Sequence, residues 1–204
     1  MRTKFKAWAE PYINEHPEYR IFDEDISSLK DIYLEVGSGK GLFLLEMSKK
    51  YPNYNFVGIE RNVTCSGFTM KKLVENEVSN AKLIWGDASR LLVNFQDKSV
   101  NKIYLNFSDP WPKDRHTKRR LTSELFLSSY YRILKDDGLI VFKTDNEELF
   151  DFSKESFTAN KFNIIKENRN YDGLDNDDYP TEYETKKRDA GLTIYKIILE
   201  KAHD

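Results

Sequence analysis

Ile32-Tyr-Leu-Glu-Val-Gly-Ser-Gly-Lys-Gly41 runs directly into Leu42-Phe-Leu-Leu-Glu-Met-Ser-Lys-Lys50. The first five residues are apolar and aromatic enough for a buried strand, and residues 41–50 have the spacing of a helix. Between them, Gly37, Gly39 and Gly41 let the backbone turn tightly and let a ligand come close to it. Strand, glycine turn and helix make the first half of a βαβ unit, so this stretch decides the fold class.

The pattern continues outward. Strands are expected at 55–59, 82–85, 102–106, 139–142 and 162–165, with helices at 62–77, 89–93, 121–134 and 147–158. Strands alternating with helices imply a largely parallel sheet covered on both faces. The tail from Leu192 to Glu200 is β-rich and follows a polar loop with no strong helix before it, so it is expected to enter the sheet antiparallel. In the helix at 121–134, Leu121, Leu125, Phe126, Ser129, Ile133 and Leu134 fall on or near one face, and Asp137-Gly138 punctuates its end. N-terminally, Phe5, Trp8, Ala9, Tyr12 and Ile13 suggest a short helix packed on the main body, with Arg2, Lys4 and Lys6 as a cationic arm.

Bulk properties narrow the class. The 204 residues are 39% hydrophobic and 14% aromatic, which fits one folded domain spanning 1–204. With 32 Lys+Arg against 34 Asp+Glu the net charge is -2, so any affinity for polyanions must come from local clustering. Cys65 is the single cysteine, which excludes an intrachain disulfide and a cysteine-built zinc site. With neither a signal-like apolar segment nor a membrane-length run, a cytoplasmic protein is expected.

Charge at the glycine turn selects among cofactors. A dinucleotide fingerprint needs Gly or Ala at position 42, where Leu42 stands, and Glu35 would repel a pyrophosphate. The ammonium and sulfonium of S-adenosylmethionine favour an anionic neighbour instead. Glu60 follows the second strand, where it can accept hydrogen bonds from ribose hydroxyls, and Asp87 follows the third. Together with Asp109, these carboxylates close four successive strands at the edge where open α/β sheets bind ligands.

Asp109 opens a second constellation, Asn106-Phe-Ser-Asp-Pro-Trp-Pro-Lys-Asp-Arg-His-Thr-Lys-Arg-Arg-Leu121. A strand-end carboxylate is joined by a proline-stiffened turn to a basic run suited to phosphates. Read as the entry to the 121–134 helix, the run puts cations where the helix dipole disfavours them, which argues for an external anion. Trp111 is as well suited to packing on the protein as to stacking on a base. The acidic loop bearing Asp172, Asp175, Asp177 and Asp178 is expected to close over a base or cofactor.

These blocks, with Gly58-Ile-Glu60, Phe142-Lys-Thr-Asp-Asn146 and Thr181-Glu-Tyr-Glu184, resemble the bacterial tRNA (guanine-N7-)-methyltransferases of the TrmB type. The Asn-Phe-Ser-Asp-Pro-Trp-Pro-Lys block carries most of the specificity. The resemblance implies a Rossmann-like class I methyltransferase fold with seven strands, S-adenosylmethionine as cofactor, and a guanosine N7 in the tRNA variable loop as methyl acceptor. By the same resemblance Glu35, Gly37, Gly39, Gly41, Glu60, Asp87 and Asp109 would hold the cofactor, with Asp109 also catalytic. Lys113, Asp145, Thr181, Glu182, Tyr183 and Glu184 would meet the substrate. Arg115, His116, Thr117, Lys118, Arg119 and Arg120 would bind RNA, although Asp114 stands where the family often has a basic residue. No metal or membrane is implied, and the assembly is expected to be a monomer or homodimer. The rival readings are a methyltransferase with a small-molecule or protein acceptor, and a non-catalytic RNA-binding module of the same fold.

Overall fold

The computed structural model describes residues 3–173 and 175–202. Strands β1 (Ile32–Val36), β2 (Asn55–Glu60), β3 (Ala81–Trp85), β4 (Val100–Asn106), β5 (Leu134–Thr144), β6 (Phe162–Asn168) and β7 (Tyr195–Lys201) form a sheet ordered β3-β2-β1-β4-β5-β7-β6. The five strands from β3 to β5 are mutually parallel, as the intervening helices require. The tail strand β7 is antiparallel, as expected, and lies between β5 and β6. The helices are α1 (Ala9–Glu15), α2 (Leu42–Lys50), α3 (Val63–Glu75), α4 (Ala88–Leu91), α5 (Glu124–Ile133), α6 (Glu147–Ala159) and α7 (Glu182–Asp189).

Alternation along the strands assigns the two faces. Ile32, Leu34 and Val36 of β1 share a core with Phe126, Leu127, Tyr130 and Ile133 of α5 and Leu149, Phe150 and Phe157 of α6. On the opposite face Phe43, Leu44, Leu45 and Met47 of α2 meet Tyr104 and Val141. The period of two therefore puts Tyr33, Glu35, Tyr104, Asn106, Val141 and Lys143 on the α2 side. Because β1 is flanked by β2 on one side and β4 on the other, a crevice opens at the C-terminal ends of these strands.

Four expectations are corrected. The basic run does not enter a helix at Leu121: Asp114–Arg119 form a separate 3-10 turn, and α5 begins at Glu124 after Ser123. Its first turn thus carries an anion, which the helix dipole favours, so the argument from misplaced cations falls. Leu125 is 57% exposed, because α5 turns Phe126, Leu127, Tyr130 and Ile133 inward. Second, β5 starts directly after α5 and Asp137-Gly138 lies inside it, at a register shift against β4. A Cβ on Gly138 would lie 2.7 Å from Leu134 Cδ1 and 3.0 Å from the Asn101 carbonyl oxygen, so a side chain there would make its neighbours shift.

Third, the polar loop before β7 contains a helix, α7, which lacks an apolar stripe and has Glu184 as its one buried residue. Fourth, the acidic segment is pinned by lysines instead of arching over a ligand: Asp177 pairs with Lys102, while Asp175 and Asp178 pair with Lys196. The N-terminal helix covers 9–15, leaving Phe5 73% exposed, and the Lys6 amide donates to Thr64 Oγ1 beside α3. Arg2 of the cationic arm lies outside the described residues. Among the described residues no helix is long and apolar enough to cross a membrane.

Candidate active site

The glycine turn takes the shape its composition demands. Gly37, Gly39 and Gly41 have φ of +79°, +58° and +77°, in the region that excludes most side chains. At Gly41 space adds to strain, for a Cβ would lie 2.6 Å from Thr69 Cγ2. The turn is also tied from outside. Gly39 N–H donates to Glu60 Oε2 at 2.9 Å, and Thr69 Oγ1 donates to the Gly39 carbonyl at 3.0 Å. Glu60 Oε1 accepts from Asn62 N–H at 2.7 Å, so this carboxylate links the end of β2 to the turn.

Gly37, Gly39, Glu60, Asp87, Ser108 and Asp109 line one cavity of about 260 Å³, and Trp111 and Arg119 also contribute to its wall. Thus the glycine turn and three of the four strand-end carboxylates meet at the crevice that the topology creates. Asp87 also caps α4, accepting from Ser89 N–H at 2.9 Å. The fourth carboxylate, Glu35, lies behind the turn and is only 2% exposed. Its Oε1 accepts from Asn106 Nδ2 at 2.9 Å, and its Oε2 has no partner. Burial pushes the Glu35 carboxyl up to about 8, against the Asn106 hydrogen bond and the Lys143 charge, which pull it down.

Further buried oxygens are also unsatisfied: Asn106 Oδ1, Ser38 Oγ and Ser108 Oγ. Buried polar atoms without partners are uncommon in folded proteins, and several near one glycine turn fit a ligand with polar donors. Ser38 is not among the expected site residues, and Asn106 and Ser108 enter the expectation only as part of the Asn106 to Asp109 strand end, which is expected to face cofactor and base. Their signal in the sequence is weak, because each lies beside a recognised motif residue without itself having distinctive chemistry.

The loop after β4 is held in an uncommon conformation. Phe107 and Trp111 have φ of +52° and +43°, costly for bulky side chains. Arg120 holds this turn: its Nε donates to the Pro110 carbonyl at 2.9 Å and its Nη2 to that of Trp111 at 3.2 Å. Its guanidinium also stacks on Phe152, so Arg120 faces the protein. Arg119 lies over the Trp111 ring and His116 meets that ring edge-on. Lys113, Arg115 and Lys118 are exposed and have no ion-pair partner among the described residues, and Asp109 likewise has neither ion pair nor hydrogen bond there. Thr117 Oγ1 is turned back to the Asp114 carbonyl.

Asp145 and the 181–184 segment meet across the crevice end. Thr181 caps α7 by accepting from Glu184 N–H at 2.9 Å. Tyr183 Oη donates to Asp145 Oδ2 at 3.2 Å, and its ring packs against Phe107 at 5.3 Å. Lys187 pairs with the same Asp145 oxygen at 2.8 Å, and Glu182 pairs with Lys72 of α3 at 3.0 Å. Glu184 points away from the opening, with its carboxylate between Lys143 and Arg188.

The chain is similar to known methyltransferases in sequence. A family model described as "Putative methyltransferase" matches residues 30–197. The tRNA (guanine-N(7)-)-methyltransferase of Staphylococcus haemolyticus (strain JCSC1435) is 43% identical over 206 residues, covering 97% of this chain and 96% of that protein. This chain belongs to the tRNA (guanine-N7-)-methyltransferase family. The family enzyme of Limosilactobacillus reuteri (strain DSM 20016) is 42% identical over 216 residues, covering 97% of the chain and 98% of its own length.

Solved structures agree at the level of fold. The precorrin-6y C5,15-methyltransferase from Geobacter metallireducens GS-15 superposes with a TM-score of 0.58 at 17% identity, over 88% of this chain and 84% of that one. A SAM dependent methyltransferase from Aquifex aeolicus gives 0.59 at 12% identity over 98% and 100%. The family member described here therefore has the Rossmann-like class I methyltransferase fold, with the antiparallel β5-β7-β6 arrangement at its C-terminal side.

Proposed function

We propose that this chain transfers a methyl group from S-adenosylmethionine to N7 of a guanosine in the tRNA variable loop. The observation that carries the reading is a junction: a glycine turn backed by unsatisfied buried oxygens opens, across Asp109, onto a turn of unpaired cations. The small-molecule or protein acceptor is disfavoured by that turn, because Lys113, Arg115 and Lys118 are exposed together and have no ion-pair partner among the described residues.

When bound, S-adenosylmethionine would supply an activated methyl group on a sulfonium, and its positive charge would pass to the purine with the methyl. Guanine N7 has an in-plane lone pair and no proton, so the residues need not include a strong base. Their work is positioning, which can supply several kcal/mol. Glu35 and Asn106 offer two unmatched acceptors to an ammonium, and Glu60 and Asp87 line the cavity for ribose and adenine. Gly37 and Gly39 keep side chains out of that space, and Gly41, outside the cavity lining, lets the turn pack against Thr69.

Asp109 is the proposed catalytic residue, an exposed carboxylate that stabilises positive charge developing on the base. Lys113, Asp145, Thr181, Glu182 and Tyr183 are assigned to the acceptor nucleotide. Glu184 would act through α7, since its oxygens are occupied. Arg115, His116, Lys118 and Arg119 are assigned to the RNA backbone, with Thr117 and Arg120 shaping their turn.

Incubation with labelled S-adenosylmethionine and unmodified tRNA, followed by nucleoside analysis, tests the reaction. Label is expected in N7-methylguanosine, and label elsewhere rejects the assignment. Asp109→Ala is expected to slow transfer at least about 100-fold while the protein still binds cofactor. Wild-type transfer by that variant would remove Asp109 from the chemistry.

A further inference from the structure

Helix α7 bears the Thr181 to Glu184 motif, yet no buried apolar side chain holds it in place: its one aromatic residue, Tyr183, meets Phe107 while 38% exposed. Its one buried residue is Glu184, and the rest of Glu-Tyr-Glu-Thr-Lys-Lys-Arg-Asp189 is polar or exposed. An eight-residue helix is marginal by itself in water, so its docking decides whether and where it forms. Beyond the outer contacts of Tyr183, Lys187 and Glu182, what docks its inner side is a buried ionic lattice centred on Lys143, which is 0% exposed.

The Lys143 ammonium donates to Asp178 Oδ1 at 2.9 Å, to Glu184 Oε2 at 2.8 Å and to the Tyr179 carbonyl at 3.3 Å. Asp178 Oδ2 accepts from Lys196 at 3.0 Å and from Tyr171 Oη at 2.9 Å. Glu184 Oε1 accepts from Arg188 Nε at 3.0 Å, and Arg188 Nη1 donates to the Tyr171 carbonyl at 2.8 Å. Lys196 also pairs with Asp175 at 2.8 Å. Three cations, Lys143, Lys196 and Arg188, thus meet three carboxylates, Asp175, Asp178 and Glu184. A buried lysine is tolerated only with such matching.

Lys143 is the natural hub because of its register. It lies on β5 opposite Asn106 of β4 and two residues before Asp145. Its backbone therefore sits beside Asn106, the partner of Glu35, while its ammonium reaches the inner side of α7. Asp145 and Lys143 point to opposite environments: the first pairs with Tyr183 and Lys187 near the surface, the second with Glu184 inside.

We propose that Lys143 is a positioning residue for methyl transfer, whose buried ammonium, holding Asp178 and Glu184 together, locks α7 against β5 and so sets Thr181, Tyr183 and Asp145 around the acceptor base. This inference rests on the function proposed above. Lys143 itself touches neither reactant. Two variants of the full chain, Lys143→Met and Asp178→Asn, test it below their unfolding temperatures. The readouts are kcat and KM on unmodified tRNA, the S-adenosylmethionine Kd by calorimetry, and amide hydrogen exchange of residues 182–189.

Lys143→Met is expected to lower kcat by about 10- to 100-fold, the scale on which small misplacements act. Its cofactor Kd should stay within about 3-fold, and exchange in α7 should accelerate at least about 10-fold. Wild-type kcat in the folded variant, unchanged α7 exchange, or a loss of cofactor affinity equal to the loss in kcat would each overturn the proposal. If Lys143→Met does not fold, Asp178→Asn preserves the shape while removing one carboxylate from the ammonium; the same split in smaller measure supports the proposal and wild-type kcat overturns it. A wild-type protein inactive on tRNA would overturn the proposed function instead, and α7 exchange would still decide whether Lys143 anchors the helix.

Discussion

Phe107 and Trp111 bracket Asp109 with positive φ, a conformation that costs about 1–3 kcal/mol per residue. The Arg120 hydrogen bonds and the Phe107–Tyr183 contact help maintain it, so the carboxylate is presented by a loop with little freedom. Glu35 illustrates the opposite treatment of a carboxylate, for it is buried and its carboxyl is raised to about 8. Groups facing it are Asn106 and Lys143, which lower it, and Glu182 and Glu60, which raise it. Between the ordinary glutamate value of 4.5 and about 8 the native chain retains a proton that the unfolded chain has lost. Stability contributed by this group is therefore present at the acid end of that window and is lost as pH rises through it. Without cofactor, Glu35→Gln should become more stable relative to wild type from pH 5 to pH 8. Thermal melts across that range check the sign, and a constant difference would place the Glu35 titration elsewhere.

At the scale of elements, α5 shows how a helix's phase depends on where it starts. Beginning at Glu124, it turns Phe126, Leu127, Tyr130 and Ile133 into the core and Leu125 into solvent. Leu125→Glu should change stability by no more than about 0.5 kcal/mol, whereas Phe126→Ala should cost about 3–5 kcal/mol. Chemical denaturation of the two variants tests this, and comparable losses would place Leu125 in the core. Helix α7 is the contrary case, in which charge takes the part that apolar burial plays in α5. Hydrophobic periodicity is blind to such a helix, which is why the segment before β7 looks like loop in the sequence.

Across the whole molecule the net charge of -2 hides an uneven pairing of cations. Away from the crevice, Lys98, Arg132, Lys135, Lys154 and Lys166 each pair with a carboxylate. Beside the crevice, Lys113, Arg115 and Lys118 have no ion pair among the described residues, as Lys30, Lys82 and Lys161 have none elsewhere, but they stand together in one short turn, so the exposed field that a polyanion meets is locally positive despite the global sum. Binding of tRNA should weaken linearly in log salt, and each of Arg115→Ala and Lys118→Ala should reduce the slope by roughly 0.7–0.9. Filter binding at several salt concentrations measures this. A flat dependence, or slopes unchanged in both variants, would remove the basic turn from RNA contact.

The sequence by itself determined the βα alternation, the glycine turn, the strand-end carboxylates and the antiparallel tail. These are local: periodicity, turn chemistry and spacing operate over a few residues, and each leaves its mark in the residues that carry it. Only the tertiary structure decided that the basic run stands apart from α5, that Arg120 faces inward, and that the acidic segment is bound to Lys102 and Lys196 instead of arching over the crevice. It alone revealed Lys143, a member of the Phe142 to Asn146 block with no role assigned to it from the sequence, as the hub of a buried lattice. Charges separated by about forty residues interact through space, and neither their distance nor their burial is encoded in the pattern of neighbours.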